Sequence, residues 1–357
     1  MGIRDRIRAA LEGAIGLLDS TRRSGETLPR PPDPDPWKDL IQGIRLDLHE
    51  TARPALICFE CSKLTIVEDP GQVVRNSLLG AAPVCAACGS PINVWMNTLL
   101  AMRSDVGLAM ATQVGARHTA IMYPLAVGQA ATFDVRDKGV PQDATILRIR
   151  HSAALADGVA VLDLDGTDSA RAPEFVVRVI AVSLGVGGSS DAQIETTVTW
   201  AHHDADDDGR RSLNRALLAL ADGRLEEAIV PANVAVELAL NAVLDEHLHA
   251  IGISNTRLKP FLTDAATYSH QLNVLLPMVL WGTGAPELQE HLRGVLNRLR
   301  DLRNGIGHRG RAKQPLTREV VGECVAGAVF GFYYVRLAGE FLSRRRNEFG
   351  STDQAPT

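Results

Sequence analysis

Four of the five cysteines in this 357-residue chain fall into two short motifs, and these motifs constrain the fold more than any other feature. The segment CFEC supplies Cys58 and Cys61, and the segment CAACGS supplies Cys85 and Cys88. Two residues between paired cysteines allow a tight turn that directs both sulfurs to one metal ion, and two such turns complete a tetrahedral shell of thiolates. Gly89 suits the second turn, because glycine tolerates the positive φ that is needed there.

The loop between the two cysteine pairs has 23 residues, slightly more than the commonest spacing. The arrangement resembles a zinc ribbon, which implies a structural Zn²⁺ bound by Cys58, Cys61, Cys85 and Cys88. Four protein ligands leave no open coordination position, so this zinc is expected to support folding rather than catalysis. An iron–sulfur cluster or a redox-active pair stays open as an alternative. The fifth cysteine, Cys324, is expected to be a small buried apolar residue.

Residues 1–201 divide into segments that differ in composition and in the period of their apolar residues. Residues 1–20 predict an amphipathic helix that packs on the protein itself or on a partner subunit, with binding to a membrane surface as the alternative. Residues 21–37 form a proline-rich linker, and residues 51–100 hold the zinc ribbon. Residues 110–201 contain six short β-rich runs between Gly, Pro and Asp clusters, which predict a small antiparallel sandwich or barrel.

From residue 208 onward the apolar period becomes helical and predicts an all-α bundle of about five helices over residues 208–345. The predicted helices lie near residues 210–221, 224–249, 257–281, 286–304 and 317–345. Gly327 and Gly331, one turn apart in the last helix, would permit close helix packing, and residues 346–357 are expected to form a disordered tail. The whole chain is therefore predicted to be a multidomain α+β protein.

Composition excludes some classes of function. A net charge of −5 argues against general coating of nucleic acid, and 45% hydrophobic residues supply enough apolar material for real cores. The first twenty residues lack the pattern of a secretory signal. The longest apolar run near the end has 12 residues, whereas a membrane span needs about 20. We therefore expect a soluble cytoplasmic protein that does not enter a membrane.

One stretch of the chain is strongly basic. Residues 293–318 contain seven arginines and one lysine against the single Asp301, a local net charge of +7 in a chain that totals −5. Such a concentration of positive charge suits a phosphate backbone, so a nucleic acid is an expected partner.

Within the basic stretch, the segment RDLRNGIGHRGR brings together residue types that can act on a phosphate. Arg303 and Asn304 are adjacent, and His308 follows Arg303 by five positions. Gly305 and Gly307 are expected to break the preceding helix there. The broken segment would let the side chains project into a cleft.

The segment LRDLRNGIGHRG, together with the preceding ADGRLEEAIVPANVAVELALNAVL, resembles the HEPN superfamily of helical bundles. The hallmark of that family is an arginine, a polar residue and, after several variable positions, a histidine. The matching residues here are Arg303, Asn304 and His308. Glu237, a polar residue inside an apolar helix, fits as a further residue of the catalytic site. The resemblance covers residues 208–345 only.

The resemblance implies an endoribonuclease that needs no metal and acts as a homodimer, in a toxin–antitoxin or phage-defence system with an antitoxin or other partner protein. His308 would transfer protons near neutral pH, Arg303 would hold the scissile phosphate, and Asn304 would orient the phosphate or the imidazole. The product would carry a 2′,3′-cyclic phosphate, and DNA would be spared because it lacks the 2′-hydroxyl. Other members of the family are inactive and serve as dimerisation or binding modules.

Plainer interpretations of the same residues stay open. His308 near a helix end would complement the helix dipole, and Arg303 would pair with Asp301 or with a backbone carbonyl. Glu237 would be an ordinary glutamate at the edge of the core.

Overall fold

The computed structural model describes residues 55–67, 69–103, 117–154, 159–163, 175–183, 191–202 and 208–352. The predicted N-terminal helix and the proline-rich linker lie outside the described residues. The chain divides into two units, the first formed by Met1–Glu68 with Val84–Ile92 and the second by Asp69–Pro83 with Asn93–Thr357.

The first unit contains a short hairpin. Strand β1 (Ala55–Ile57) pairs antiparallel with β2 (Leu64–Ile66), and Val84 and Pro91 form an isolated antiparallel bridge. Among the residues of this unit that the structure describes, 55–67 and 84–92, the buried apolar side chains include Leu56 and Ile92. These two short segments are too small to build a sufficient core from such side chains alone.

The described part of the β-rich region forms a small sandwich of six strands, as the sequence predicts. The strands are β3 (Arg117–Ala126), β4 (Ala130–Asp134), β5 (Ala144–Ala154), β6 (Val159–Asp163), β7 (Val176–Ser183) and β8 (Asp191–His202). They form two antiparallel three-stranded sheets with the orders β3-β8-β5 and β4-β7-β6. Alternate residues of β8, such as Ile194 and Val198, are buried in one core with Val177 and Val179 of β7, which follows from the two-residue period of a strand.

The helical region contains nine described helices: α1 (Pro70–Leu78), α2 (Val94–Arg103), α3 (Asp208–Ala221), α4 (Leu225–Ala250), α5 (Asn255–Pro260), α6 (Tyr268–His270), α7 (Leu276–Leu280), α8 (Glu290–Arg309) and α9 (Arg318–Thr352). Two π-helical turns, Phe261–Ala265 and Gln271–Leu275, lie between α5 and α7. Helix α9 is central, because α1, α2, α3, α4, α7 and α8 all pack against it. The predicted mixed α+β class with a C-terminal helical region is confirmed.

The predicted helix at 257–281 is wrong in its continuity. The backbone becomes extended at Ala266, with φ −90° and ψ 91°. The buried side chain of Gln271 donates from Nε2 to the backbone oxygens of Leu262 and Ala266, both at 2.9 Å. These bonds satisfy carbonyl groups that an unbroken helix would have paired with backbone N–H groups.

Residues 51–100 divide differently from the boundary that the sequence suggests. Helix α1 is N-capped by Asp69, whose carboxylate accepts from Gln72 N at 3.0 Å, and it buries Val74 in the helical core. Helix α2 buries Met102 in the same core. Both helices therefore pack in the helical region, although their residues fall inside the range 51–100 that the sequence assigns to the zinc ribbon.

The end of the chain also differs from the sequence-based boundary. Helix α9 continues to Thr352, so residues 346–352 are helical rather than part of a disordered tail.

Two helices, α4 and the Arg318–Asn347 part of α9, are long and apolar enough to cross a membrane by length and composition alone. In their most apolar windows, 44% of the residues of α4 and 78% of those of α9 are buried inside the protein. Core helices of soluble proteins have the same length and composition. The cytoplasmic location stays a prediction.

Helix α8 approaches α9 closely at two glycines. A Cβ on Gly327 would collide with the side chain of Val295, and a Cβ on Gly331 would lie 2.9 Å from a methyl group of Leu296. The small residues noted in the sequence therefore bring two helices of the same chain together. By contrast, Gly294 on α8 has no atom within 4 Å of its Cβ position.

We expect Gly327→Ala to lower the free energy of unfolding by about 1–2 kcal/mol, because the collision with Val295 outweighs the helix propensity gained from alanine. Gly294→Ala is the matched control, and its open surroundings should make it stabilising by about 0.5–1 kcal/mol. Urea denaturation followed by circular dichroism measures both. Equal effects of the two substitutions would contradict the close approach of α8 to α9.

Candidate functional site

The two cysteine pairs are held by the same kind of backbone turn. Ser62 N donates to Cys58 O at 2.8 Å, and Gly89 N donates to Cys85 O at 2.8 Å in the matching position. Both residues that follow the pairs have positive φ, 59° at Ser62 and 72° at Gly89. The positive φ predicted for Gly89 is confirmed. The positive φ of Ser62 was not predicted, because serine seldom adopts it.

The four sulfurs converge on one point. The Sγ atoms of Cys58, Cys61, Cys85 and Cys88 all lie within 4.8 Å of one another, and the Cys58–Cys88 and Cys61–Cys85 pairs are each 3.6 Å apart. A tetrahedral ion with metal–sulfur bonds of about 2.3 Å requires sulfurs about 3.8 Å apart. A disulfide would need about 2.05 Å, so the four thiols are free and their spacing suits one metal ion rather than two disulfides.

Backbone groups prepare two of these thiols for metal binding. Hydrogen bonds from the backbone at Ala87 and Cys88 lower the pKa of Cys85 to about 6. Hydrogen bonds at Ser90 likewise lower the pKa of Cys88. Because the thiolate is the form that binds a metal, both shifts favour coordination near neutral pH.

The predicted site residues of the basic stretch lie on a continuous helix. Helix α8 runs through Gly305 and Gly307 and ends at Gly310, whose N–H donates to Ile306 O at 2.7 Å in a left-handed cap. The predicted helix break at the two glycines is therefore wrong. Leu302 and Ile306 still pack against the core on the other face, and this packing stabilises the helix despite its glycines.

Gly305 makes room for a neighbouring cation. A Cβ at Gly305 would lie 2.6 Å from Nη2 of Arg309. The guanidinium of Arg309 thus folds back along the helix over the glycine. Gly305 therefore leaves space for the Arg309 side chain and does not change the direction of the backbone.

Arg303, Asn304 and His308 all lie in the last two turns of α8, and we call these three residues together the arginine–histidine strip. Arg303 is half-buried and donates from Nη1 to Asn304 Oδ1 at 3.2 Å. Asn304 and His308 are four residues apart and so are neighbours on the helix surface. Arg303 and His308 are five positions apart in sequence. On an α-helix this places them about 140° apart around the axis and about 7.5 Å apart along it. His308 is exposed and forms no hydrogen bond or ion pair within the described ranges.

Of the two plainer interpretations of these residues, the structure contradicts the pairing of Arg303 with Asp301 and agrees with the position of His308 at a helix end. Asp301 accepts from Arg300 at 2.8 Å and 3.1 Å and not from Arg303. His308 does lie in the last turn of α8, where a positive charge complements the helix dipole.

Glu237 lies on α4 and is not bonded to the arginine–histidine strip. It is half-buried and accepts from Asn233 Nδ2 at 3.3 Å. Burial raises the pKa of the Tyr268 hydroxyl, the charge of Glu237 raises it further, and the charge of Arg300 opposes the rise. Asn233 and Tyr268 were missed from the sequence, although a buried asparagine in an apolar helix is a usable signal.

The positive charge of the basic stretch is only partly neutralised. Arg298 pairs with Glu323 at 2.6 Å, and Arg300 pairs with Asp301 at 2.8 Å. Around the C-terminal end of α8, four cations have no carboxylate partner in the part of the chain that the structure describes, namely Arg303, Arg309, Arg311 and Lys313. The uncompensated charge therefore gathers around the C-terminal end of α8 and next to His308.

The arginine–histidine strip lies outside the large groove of the helical region. That groove has a volume of about 970 Å³ and is lined by residues of α4 and α9 and by the start of α3, including Leu238, Phe332 and Arg336. None of Arg303, Asn304, His308 and Glu237 lines it.

No family model, no curated protein and no solved structure matches this chain.

The cysteine site predicts about one metal ion per chain, lost on Cys85→Ser, because removal of one thiolate leaves three ligands and an open position. Metal analysis of the purified protein by mass spectrometry measures this. Cys324→Ala is the matched control, because Cys324 is buried in the helical core and should leave the metal in place. Full metal content in Cys85→Ser would contradict the four-thiolate site.

Proposed function

We propose that the protein is a metal-independent endoribonuclease whose arginine–histidine strip binds and cleaves RNA, and that the four cysteines hold a structural Zn²⁺. The observation that carries the proposal is an exposed histidine among cations that have no carboxylate partner in the described ranges. This agrees with the HEPN resemblance of the sequence. The cysteine unit and the β-sandwich would then recognise the target or regulate cleavage.

The chemistry follows from the three side chains. The imidazole of His308 is accessible, and a histidine side chain exchanges protons near neutral pH, so it would deprotonate the RNA 2′-hydroxyl or protonate the leaving 5′-oxygen. The guanidinium of Arg303 would hold the scissile phosphate and stabilise its added charge. Its hydrogen bond to Asn304 already fixes one end of that guanidinium.

A homodimer would complete the site. In one chain the arginine–histidine strip is open to solvent and lines no part of the large groove. A two-fold axis near α8 would place two strips against each other and form a cleft around the phosphate. An antitoxin or other protein partner would act by covering this face.

A second function, RNA binding without turnover, is favoured by the same exposure of the arginine–histidine strip to solvent. Four uncompensated cations would attract a phosphate backbone whether or not a catalytic cleft forms. In this case the helical region is a dimerisation and binding module.

Under the catalytic proposal, wild-type protein incubated with single-stranded and structured RNA in EDTA yields fragments with 2′,3′-cyclic phosphate ends. We expect His308→Ala to slow cleavage by about 10²- to 10⁴-fold, because a proton-transfer group is lost. Denaturing gels and mass spectrometry of the fragment ends measure the rate and the product.

His249→Ala is the matched control, since His249 is also an exposed histidine in the last turn of a helix, α4. It should retain the wild-type rate. If the protein binds RNA but no variant produces fragments, the second function, RNA binding without turnover, is supported. If wild type and His308→Ala cleave RNA at the same rate, His308 has no catalytic role.

Arg303→Lys tests whether two parallel N–H bonds are needed at the phosphate. Lysine keeps the charge but not the planar fork, so we expect cleavage to fall by about 10- to 100-fold while RNA affinity changes little. Filter binding and single-turnover kinetics separate the two quantities. A wild-type rate in Arg303→Lys would reduce the role of Arg303 to charge alone.

A further inference from the structure

One carboxylate reaches from α4 to the chain segment that follows the arginine–histidine strip. Glu226 Oε1 accepts a hydrogen bond from the backbone N–H of Ala312 at 3.0 Å. Ala312 lies in residues 310–317, the connection between α8 and α9, which we call the basic loop. The contact joins positions 86 residues apart in sequence, so it is part of the tertiary fold rather than of local turn geometry.

The basic loop carries charge next to His308. Arg311 and Lys313 flank Ala312, are exposed, and have no carboxylate partner in the described ranges. The loop is fixed to the helical core by Leu316 at its far end. Near its start, the cap bond from Gly310 N to Ile306 O and the bond from Ala312 N to Glu226 both hold the loop, and only the second reaches another helix.

The neighbouring acid does something different. Glu227 forms an ion pair with Arg224 in the first turn of α4. Glu226 and Glu227 thus have the same charge on the same helical turn, but only Glu226 contacts the basic loop. This difference provides a matched pair for experiment.

The turn before α4 is also bonded to the β-sandwich. Asp222, at the end of α3, forms ion pairs with Arg148 of β5 and with Arg224, the latter at 3.2 Å. An irregularity in the pairing of β5 between Ile146 and Arg148 sets the register at that arginine. The Arg148 side chain is largely buried, with 15% of its surface exposed, so the pair is well shielded from solvent.

We propose that Glu226 is a positioning residue for the basic loop, and that the turn between α3 and α4 couples the β-sandwich to this loop. Arg148 fixes the turn through Asp222, and the turn sets the start of α4, where Glu226 binds Ala312. Removing either contact releases Arg311 and Lys313 from their places beside His308. An effect of this coupling on RNA binding rests on the proposed function. The coupling between the turn and the basic loop does not.

Hydrogen–deuterium exchange of the full-length protein without RNA tests the coupling directly. In Glu226→Ala we expect the amides of the basic loop to exchange at least about threefold faster, because a hydrogen bond to a charged acceptor is lost. Glu226→Gln keeps an acceptor oxygen and should restore most of the protection. Glu227→Ala, the matched control, should leave the basic loop unchanged.

Arg148→Met removes the charge but keeps much of the side-chain length, and Asp222→Asn breaks the same ion pair from the helical side. Both should accelerate exchange in the basic loop, while unchanged exchange in β3 and β8 verifies that the sandwich stays folded. Each effect should shrink when Glu226 is already alanine, since coupled residues are not additive. Equal exchange in Glu226→Ala and Glu227→Ala, or an unaffected loop in both Arg148→Met and Asp222→Asn, would overturn the proposal.

Binding of a short single-stranded RNA gives the functional readout. We expect Glu226→Ala to weaken affinity by about two- to fivefold and to reduce its dependence on salt, while Glu227→Ala binds like wild type. If no variant binds RNA but the exchange contrast persists, the RNA function fails and the positioning role stands. If wild type binds RNA and the contrast is absent, the positioning role fails and the RNA function stands.

Discussion

The helical region depends on the burial of α9. Helices α1, α2, α3, α4, α7 and α8 all pack against this helix, and its apolar residues are buried on nearly every face. Burial of apolar surface is the main favourable term in folding, so a helix surrounded in this way fixes where the others lie. Its glycines let α8 approach closely, and through α8 the same packing positions the arginine–histidine strip.

The strip is polar because the core uses only one face of α8. Leucines and one valine face α9, and the other face carries arginines whose charge is partly cancelled by Glu323 and Asp301. What is left is a set of cations at one helix end beside an accessible histidine. Since the strip lies on a rigid helix, a bound phosphate would meet groups whose positions are already set, which is a requirement for efficient stabilisation of developing charge. The basic loop is the part whose position depends on a few polar contacts.

Local pattern in the sequence was sufficient for the metal site and for most elements. The two-residue spacing of the cysteines dictates a knuckle, and alternation or helical period dictates six strands and the long helices. Three features of the structure could not be predicted from the sequence, because they depend on tertiary contacts. Helix α8 passes through Gly305 and Gly307 because Leu302 and Ile306 pack against the core, and Gln271 breaks the predicted helix at 257–281 by bonding backbone carbonyls. The bond from Glu226 to a residue 86 positions away has no sequence signature.

The placement of α1 between the two cysteine pairs links two parts of the chain that differ in how they are stabilised. Residues 69–83 belong to the helical unit, while the cysteines before and after them belong to the other. A metal ion held by both pairs would close a loop around this segment and lower the conformational entropy of the chain when Val74 is not docked in the helical core. Through the covalent chain alone, metal binding at the cysteines would then favour docking of residues 69–83, and docking would favour metal binding by the same factor.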